Sequence, residues 1–426
     1  MVRAPVRLPA TPIAEGATTF RGATLIDGEG GAPVPDAEIE VRDGVIAYAG
    51  PGRQGRDAPG SRVVDLTGTW VLPGFVDVHV HLAMVPDAAE QQRAWFPEEA
   101  VLAVAAQLRT TLEAGITTAR DLDGLTPGYR LAVERGTAIG PRLHLAVAML
   151  SPTGGHADPV LANGTLPAWA LRAGMPESGV VDTDDDVVRA VRRLLRMGAD
   201  AIKVSTSGGS GSPTDEPEDA GIPAEQVRLI RRLVEERGGR PITAHALTDA
   251  AARAAVVGGA DSIEHGYDLS DTTIDLMLEH GTVLVPTLST LMRDIGPRVG
   301  EERRRARESM RRRGMDSVRR AIAAGVPVAL GTDAGVVPHG RNLVELAWLV
   351  EAGLTPSAAI HAGTMAGARV LGLADRIGSV TAGKVADLAI TAGDPLESIG
   401  ALGEPGAVRM VVQSGRVVTD LDRRVA

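Results

Sequence analysis

The middle of the chain alternates short apolar runs with amphipathic stretches. Eight apolar runs of strand length recur, at 75–81, 117–121, 143–149, 201–204, 242–246, 262–266, 283–287 and 328–333. Segments such as PEEAVLAVAAQLRTTLEAG and DDDVVRAVRRLLRMGA lie between them, with apolar residues at helical spacing. Strands that alternate with helices predict parallel βαβ units. Eight such units in succession predict an α/β fold of the (β/α)8 or TIM-barrel type.

The two ends of the chain show a different, β-rich pattern. Residues 17–72 contain period-two stretches separated by turns with Gly, Pro and Asp, and the same texture returns at VADLAITAG from Val385 and AVRMVVQSGRVVTD from Ala407. We therefore predict a small composite β-sandwich domain made of residues 1–72 and 376–426. The barrel domain is predicted to comprise residues 73–375.

Composition narrows the class of protein. The 426 residues suit a large domain plus a smaller one, and 44% apolar with 23% charged residues is ordinary for a soluble enzyme. The net charge of −10, without a long basic run, argues against nucleic acid or an anionic membrane as a partner. The N-terminus lacks an apolar run of signal-peptide length, and no apolar stretch is long enough to span a bilayer. A cytoplasmic location is expected.

The absence of cysteine restricts the chemistry further. Disulfides, thiol nucleophiles and cysteine-based metal sites are excluded, so any metal must be bound by His, Asp, Glu or a modified side chain. The arginine-rich stretch 301–320 has interleaved acids and predicts a solvated helix face. Residues 207–221 have no periodicity, follow a strand end, and predict a long mobile loop over the barrel top.

Polar residues cluster where the predicted strands end. His79 and His81 are two apart on the first strand, so both face the same side and both could reach one metal ion. His245, His265 and Asp333 end the fifth, sixth and eighth runs. Each alone has an ordinary explanation, a core histidine or a helix-capping aspartate. Together they lie at the carboxyl ends of barrel strands, where active sites form, and a polar cluster there must be paired or bind metal.

Lys203 lies in the fourth run, DAIKVST, which should be buried on both sides. An unpaired buried ammonium costs several kcal/mol, and loss of the proton is the usual escape. A neutral amine can take up CO2 to give a carbamate, a bidentate anion able to bridge two cations. We predict such an N6-carboxylated Lys203. The alternatives are a salt bridge to Asp333 or Glu264, and a metal-free Schiff-base lysine of a lyase or aldolase.

Several motifs together resemble the amidohydrolase superfamily. In chain order they are VLPGFVDVHVH, AIKVSTSGG, ITAHALTD, SIEHG, ALGTDAG and the closing stretches LGLADRIGSV and AGKVADLAI. Within the superfamily the chain is most similar to prolidase-type dipeptidases and carboxypeptidase-like amidohydrolases, on SPTGGHADP, the Gly-Gly after Lys203, IEHG and HGRNLVELAWLVEAGLTP. Imidazolonepropionase-like members usually lack the strand-four lysine and use one metal, so Lys203 argues against them.

The resemblance implies a two-metal hydrolase. His79, His81 and Asp333 would bind the more buried ion, His245 and His265 the second, with carboxylated Lys203 between them. The expected ions are divalent, with zinc preferred. A metal-activated hydroxide would attack a carbonyl while Asp333 shuttles the proton to the leaving amine.

The expected substrate is a small-molecule amide, a dipeptide or an N-acyl amino acid. A cyclic amide, a carbamate or a deaminase substrate is the alternative, and a non-catalytic binding barrel is the rival from another class. Relatives commonly form symmetric assemblies, so a homo-oligomer is expected.

The resemblance also assigns substrate contacts. His156, in TGGHAD, would donate to the carbonyl oxygen; the alternative is a hydrogen bond to Asp158. Tyr267 would line the pocket. Prolidase-type relatives often carry an aromatic residue where this chain has Leu247, which favours a less peptide-like amide. His339 and Asn342 are predicted to cap the next helix, with a substrate contact as the alternative. Three further histidines are predicted to be structural: His144, His280 and His361.

Overall fold

Strands from both ends of the chain form one eight-stranded sheet in the computed structural model, which describes residues 16–53, 61–84, 95–160, 163–165, 179–210, 215–296 and 300–425. Its strands are β1 (Ala17–Leu25), β2 (Val34–Arg42), β3 (Val45–Pro51), β4 (Arg62–Asp65), β5 (Trp70–Pro73), β14 (Leu388–Thr391), β15 (Val408–Gln413) and β16 (Arg416–Asp420). The order is β16-β15-β14-β5-β1-β2-β3, with β4 beside β1. The antiparallel pairing of β14 with β5 joins the two ends.

Short parallel strands occupy the middle of the chain. They are β6 (Phe75–Val80), β7 (Ile116–Asp121), β8 (Arg142–Leu145), β9 (Met149–Leu150), β10 (Ile202–Ser205), β11 (Ile242–Ala246), β12 (Ser262–His265) and β13 (Val283–Val285). One sheet has the order β6-β7-β8 and the other β13-β12-β11-β10-β9. Every residue of β6, β7, β10, β11 and β12 is buried, as strands covered on both faces require.

Two of the eight predicted strands depart from a regular strand. The third run is divided at residues 146–148, where Val147 has a φ of 73°; β8 pairs with β7, and β9 pairs with β10. The eighth run forms single bridges instead, from Val328 to Leu284 and from Ala334 to Val80. Asp333 has a φ of 57°, which interrupts the pleat. The prediction of a continuous strand was wrong at both places, although residues 328–334 do lie between β13 and β6.

Helices follow most of the parallel strands. They are α1 (Pro97–Glu113), α2 (Pro127–Glu134), α3 (Asp184–Met197), α4 (Ala224–Glu235), α5 (Asp249–Gly258), α6 (Asp271–His280), α7 (Leu288–Met292), α8 (Glu301–Ala324), α9 (Val344–Glu351), α10 (Pro356–His361) and α11 (Gly367–Val370). Helix α3 illustrates the local cause: Thr183 and Asp186 form a capping box, and Gly198 ends the helix with a φ of 90°. Its buried face comprises Val187, Ala190, Val191 and Leu194.

A buried ion pair connects the parallel strands to the terminal sheet. Arg142 of β8 donates to both carboxylate oxygens of Asp387, which precedes β14, and to Ser414 Oγ at 2.5 Å. The backbone N–H of Ser414 also donates to Asp387 Oδ1 at 2.9 Å. Because both charges are buried, this contact fixes β8 against the sheet that holds the chain ends.

Helix α8 carries the arginine-rich stretch and is only partly the solvated face that was predicted. Most of its arginines are exposed, but Arg307 and Arg311 point inward to backbone carbonyls of α7. Among the described residues, no helix is both long and apolar enough to cross a membrane. Residues 211–214 of the predicted mobile loop lie outside the described residues.

Candidate active site

His79 of β6 and His81, just after its end, meet an aspartate at the carboxyl ends of the parallel strands. His79 Nε2 lies 3.5 Å and His81 Nε2 3.3 Å from Asp333 Oδ1, and the three side chains could together hold a metal ion. Alternation along β6 places both imidazoles on one face. The carbonyl of His79 accepts the N–H groups of Thr332 and Asp333, at 3.2 and 2.8 Å, which fixes the aspartate beside the pair.

A buried carboxylate sets the orientation of His79. Glu264 Oε2 lies 2.7 Å from His79 Nδ1, while its Oε1 accepts from Arg120 at 3.0 Å and from Ser262 at 2.7 Å. Burial acts to raise the pKa of Glu264, but Arg120 and His79 outweigh it and hold the pKa far below its usual range. A charged carboxylate accepts the Nδ1 proton, so Nε2 of His79 keeps its lone pair on the side of Asp333.

His245 of β11 and His265 of β12 extend the cluster. Their ring centroids are 4.5 Å apart, and His265 lies 5.2 Å from His79. His265 Nδ1 is 2.7 Å from Thr287 Oγ1, and His245 Nε2 is 3.1 Å from the carbonyl of Gly208.

Burial sets the protonation of the cluster. It lowers the pKa of His79 to about 4 and those of His245 and His265 well below the ordinary value. These three imidazoles are therefore neutral at pH 7, the form that binds metal. The pKa of His81 is raised, because its contact with Asp333 outweighs burial.

Lys203 is a buried lysine near Glu264 and Asp333. Its side chain is 1% exposed, and its Nζ has no hydrogen-bond partner among the described residues. The alternative of a salt bridge to Asp333 or Glu264 is therefore not what the structure contains. Burial lowers the pKa of Lys203 to about 8, although the nearby Glu264 opposes the shift. A buried amine with a lowered pKa and no hydrogen-bond partner among the described residues fits the donor set that a carbamate would complete.

His156 reaches the site from the loop after β9. Its ring stacks on that of His245, with centroids 4.2 Å apart and an interplanar angle of 29°. Its Nδ1 lies 3.3 Å from Asp215 Oδ2, whereas the predicted alternative partner, Asp158, accepts from backbone N–H groups instead. Asp215 belongs to a loop without periodicity, so no sequence pattern singled it out. A side chain at Gly209 would collide with the His156 ring.

Tyr267 and Leu247 border the cluster. The Tyr267 ring is 5.5 Å from that of His265, and its hydroxyl donates to the carbonyl of Thr287 at 3.0 Å. Burial raises the pKa of Tyr267, so the phenol stays protonated. Leu247 packs into the main hydrophobic core, and its N–H donates to Ser207 Oγ at 3.1 Å.

The prediction that His339 and Asn342 cap a helix was wrong. Helix α9 begins at Val344 without a side-chain cap. Asn342 donates to Asp77 Oδ2 at 2.8 Å instead, and His339 Nε2 lies 3.2 Å from the carbonyl of Met84. Asp77 also accepts from the backbone of both His79 and Thr332, at 3.1 and 3.2 Å. This amide–carboxylate pair therefore braces the segments that carry the site.

The remaining histidines lie in structural positions. His144 is buried in β8, and burial lowers its pKa to about 4. His280 is in the last turn of α6, before Gly281 in the left-handed conformation. His361 Nδ1 lies 3.0 Å from the carbonyl of Gly28.

An α/β fold with this group of histidines and an aspartate at its strand ends fits a metal-dependent enzyme, and comparison with known proteins shows which family it belongs to. The chain belongs to the amidohydrolase family, whose model matches residues 70–418. It is 31% identical over 438 positions to ochratoxinase from Aspergillus niger, covering 97% of this chain and 89% of the relative.

Solved structures agree with the family assignment. The structure of a Xaa-Pro dipeptidase with bound methionine matches with a TM-score of 0.84 and 30% identity, over 95% of this chain and 100% of the other. A prolidase complexed with N-methylphosphonate-L-proline matches with a TM-score of 0.86 and 29% identity, over the same shares. The chain is thus an amidohydrolase, an enzyme that acts on amide bonds.

Proposed function

We propose that this amidohydrolase uses two metal ions to cleave the amide C–N bond of a dipeptide or an N-acyl amino acid. The observation that carries the proposal is Lys203, a buried amine with no hydrogen-bond partner among the described residues and with Glu264 and Asp333 as nearby charges. The structural relatives named as a Xaa-Pro dipeptidase and a prolidase support a substrate of this kind.

The residues present fit a pair of divalent ions. His79, His81 and Asp333 would hold one ion, and His245 and His265 the other. The neutral amine of Lys203 would attack the carbon of CO2, form an N–C bond and lose one proton, giving a bridging carbamate. Zinc suits imidazole and carboxylate ligands. Such ions supply a water of lowered pKa and polarise a carbonyl.

The chain's own side chains would handle the protons. Asp333 is suited to take up a proton and pass it to the leaving amine, because the neighbouring histidines outweigh burial and hold its pKa below the usual range, so that it is ionised. His156, 3.3 Å from Asp215, would donate to the carbonyl oxygen as negative charge develops. Tyr267 and Leu247 would form part of the substrate wall.

We further propose a closed (β/α)8 barrel of residues 73–375, with residues 1–72 and 376–426 as the smaller domain. The support is the position of the eighth segment: Val78 N donates to Leu330 O at 3.0 Å, and Ala329 N donates to Leu284 O at 3.0 Å. Residues 328–334 thus connect β13 to β6, as closure requires.

A substrate screen tests the proposal. Zinc-loaded enzyme is incubated with N-acyl amino acids, Xaa-Pro and other dipeptides, lactams and carbamates, and products are separated by chromatography. The proposal expects cleavage of linear amides with an amino-acid leaving group. Turnover confined to lactams or carbamates, or release of ammonia from an amino-substituted ring, would replace it with the corresponding alternative.

A further inference from the structure

The wall formed by α7 and α8 stands directly beside the site. Thr290 Oγ1 on α7 donates to the carbonyl of Thr332 at 3.3 Å, and Thr332 precedes the site aspartate. Helix α8 packs so closely at Gly314 that an added Cβ would lie 3.2 Å from Tyr267 Cβ. These contacts place α7 against the segment that carries Asp333 and α8 against Tyr267, which borders His265.

Two arginines at this wall have an N–H donor without an acceptor among the described residues. Arg307 of α8 is only 9% exposed, and its Nε has no hydrogen-bond partner among the described residues. The same holds for Nε of Arg293, a half-buried residue just after α7. Neither guanidinium forms an ion pair with a described carboxylate, and the pKa of Arg307 is lowered, chiefly by burial and further by Arg293 and Arg311.

Hydrogen bonds to the carbonyls of α7, and a contact with Glu308, account for the position of Arg311. They do not account for Arg307 and Arg293. Arg311 donates through Nε to Leu291 O at 3.3 Å and through a second nitrogen to Met292 O at 3.1 Å, and it lies 3.7 Å from Glu308. Arg307 has one backbone acceptor, Thr290 O, and a distant contact to Met310 Sδ at 3.8 Å. The Arg293 guanidinium has no hydrogen-bond acceptor among the described residues. Buried positive charge without a counter-ion is costly, so the pair is suited to an anionic ligand.

We propose that Arg307 and Arg293 bind the free carboxylate of the amino-acid leaving group. The inference rests on the proposed function and deepens it. In an N-acyl amino acid or a dipeptide, the carboxylate is attached to the carbon that bears the scissile nitrogen. It therefore lies beside the histidine cluster when the amide is in place. A planar guanidinium pairs with a carboxylate through two parallel hydrogen bonds, which suits this role.

The test compares matched substrates with matched variants. An N-acyl amino acid and its C-terminal N-methylamide share the scissile amide, but the N-methylamide lacks the negative charge at the proposed site and carries an N–H and a methyl group in its place. The variants are Arg307→Met, Arg307→Lys and Arg293→Met, with Arg312→Gln as control, an exposed arginine on the same helix. Metal content is measured for each. Arg293→Met keeps the test valid even if Arg307→Met destabilises α7.

The expected result is a loss of activity that is selective for the carboxylate substrate. Wild-type enzyme prefers the carboxylate substrate, and each Met variant loses about 100-fold in kcat/KM for it, while cleavage of the N-methylamide changes little. Arg307→Lys retains part of the preference, and the control retains all of it. Equal cleavage of both substrates by wild type, or equal losses on both in the Met variants at full metal content, would overturn the proposal.

A binding measurement separates this proposal from the proposed function. Thermal shift is recorded for wild type and the Met variants with the same two compounds. If the enzyme cleaves neither, the proposed function fails, yet stabilisation by the carboxylate compound alone, lost in the Met variants, still supports the arginine site. No stabilisation by the carboxylate compound overturns it.

Discussion

Replacing Glu264 with glutamine tests how the site holds His79. Every group around this carboxylate is a donor: the imidazole of His79, the guanidinium of Arg120 and the hydroxyls of Ser262 and Thr243. Glutamine keeps the volume but removes the charge, and its NH2 group must face one of these donors. If His79 loses its acceptor, its ring and tautomer are no longer fixed.

The expected magnitude follows from this loss. Loss of a carboxylate that orients a ligating histidine lowers metal affinity about 10- to 100-fold, which is about 1.4 to 2.7 kcal/mol. Arg120, only 1% exposed, would also lose its charged partner, at a cost of about 3–5 kcal/mol in stability. The Glu264→Gln variant should therefore unfold at lower temperature and release metal to a weaker chelator.

The assay is competition with a metallochromic chelator on folded protein, and Glu345→Gln is its control. Glu345 is equally buried, but its carboxylate oxygens accept from Leu288 N and Ser289 N, and among the described residues it has no hydrogen bond to a histidine. Burial raises its pKa to about 7, so a neutral amide replaces a group that is about half protonated at pH 7. Its metal affinity should be unchanged. Unchanged affinity in folded Glu264→Gln, or an equal loss in the control, would refute the orienting role.

Three further predictions concern other parts of the molecule. Asp333→Asn should lower turnover about 10²- to 10⁴-fold while much of the metal stays bound, as measured by kinetics beside metal analysis; a mild effect excludes the proton shuttle. His144 has a pKa of about 4 when folded, so its share of stability is lost as pH falls from 6.5 towards 4. The free energy of unfolding, measured by urea titration, should therefore fall by about 2 kcal/mol less between pH 7 and pH 5 in His144→Gln than in wild type. An equal fall in both proteins would contradict this. Asp387→Ala strands the buried Arg142 and should cost about 3–5 kcal/mol by thermal unfolding. A loss below about 1 kcal/mol, the size expected of an exposed pair, would contradict that.

Periodicity predicted the parallel strands and both sets of terminal strands, because burial on two faces or one leaves a visible pattern. The prediction failed where the backbone conformation of a single residue interrupts a strand. Val147 and Asp333 adopt positive φ, and Gly331 lies where a side chain would collide with Val285 and His79. These constraints come from neighbouring strands, so counting apolar positions cannot detect them.

In the candidate site, too, the residues on strands were predicted and the contacts from loops and helices were not. Alternation placed His79 and His81 on one face, and the strand ends located His245, His265 and Asp333. Contacts made by loops and helices were missed. Asp215 lies in an aperiodic loop, and Arg307 belongs to a helix whose charge pattern indicates a solvated face. Arg307 faces inward because it donates to a carbonyl of the short helix α7, which packs against α8. That packing arises in the tertiary structure and leaves no pattern in the sequence.

Metal analysis of wild type and Lys203→Ala tests the two-metal account most directly. Both proteins are purified, loaded with zinc under CO2, freed of loose metal and assayed for zinc per chain and for amide hydrolysis. The account predicts about two equivalents and full activity for wild type, and one or fewer with activity lost for Lys203→Ala. Two metals with full hydrolysis in the variant would contradict it, and a metal-free active wild type would favour a Schiff-base lysine instead.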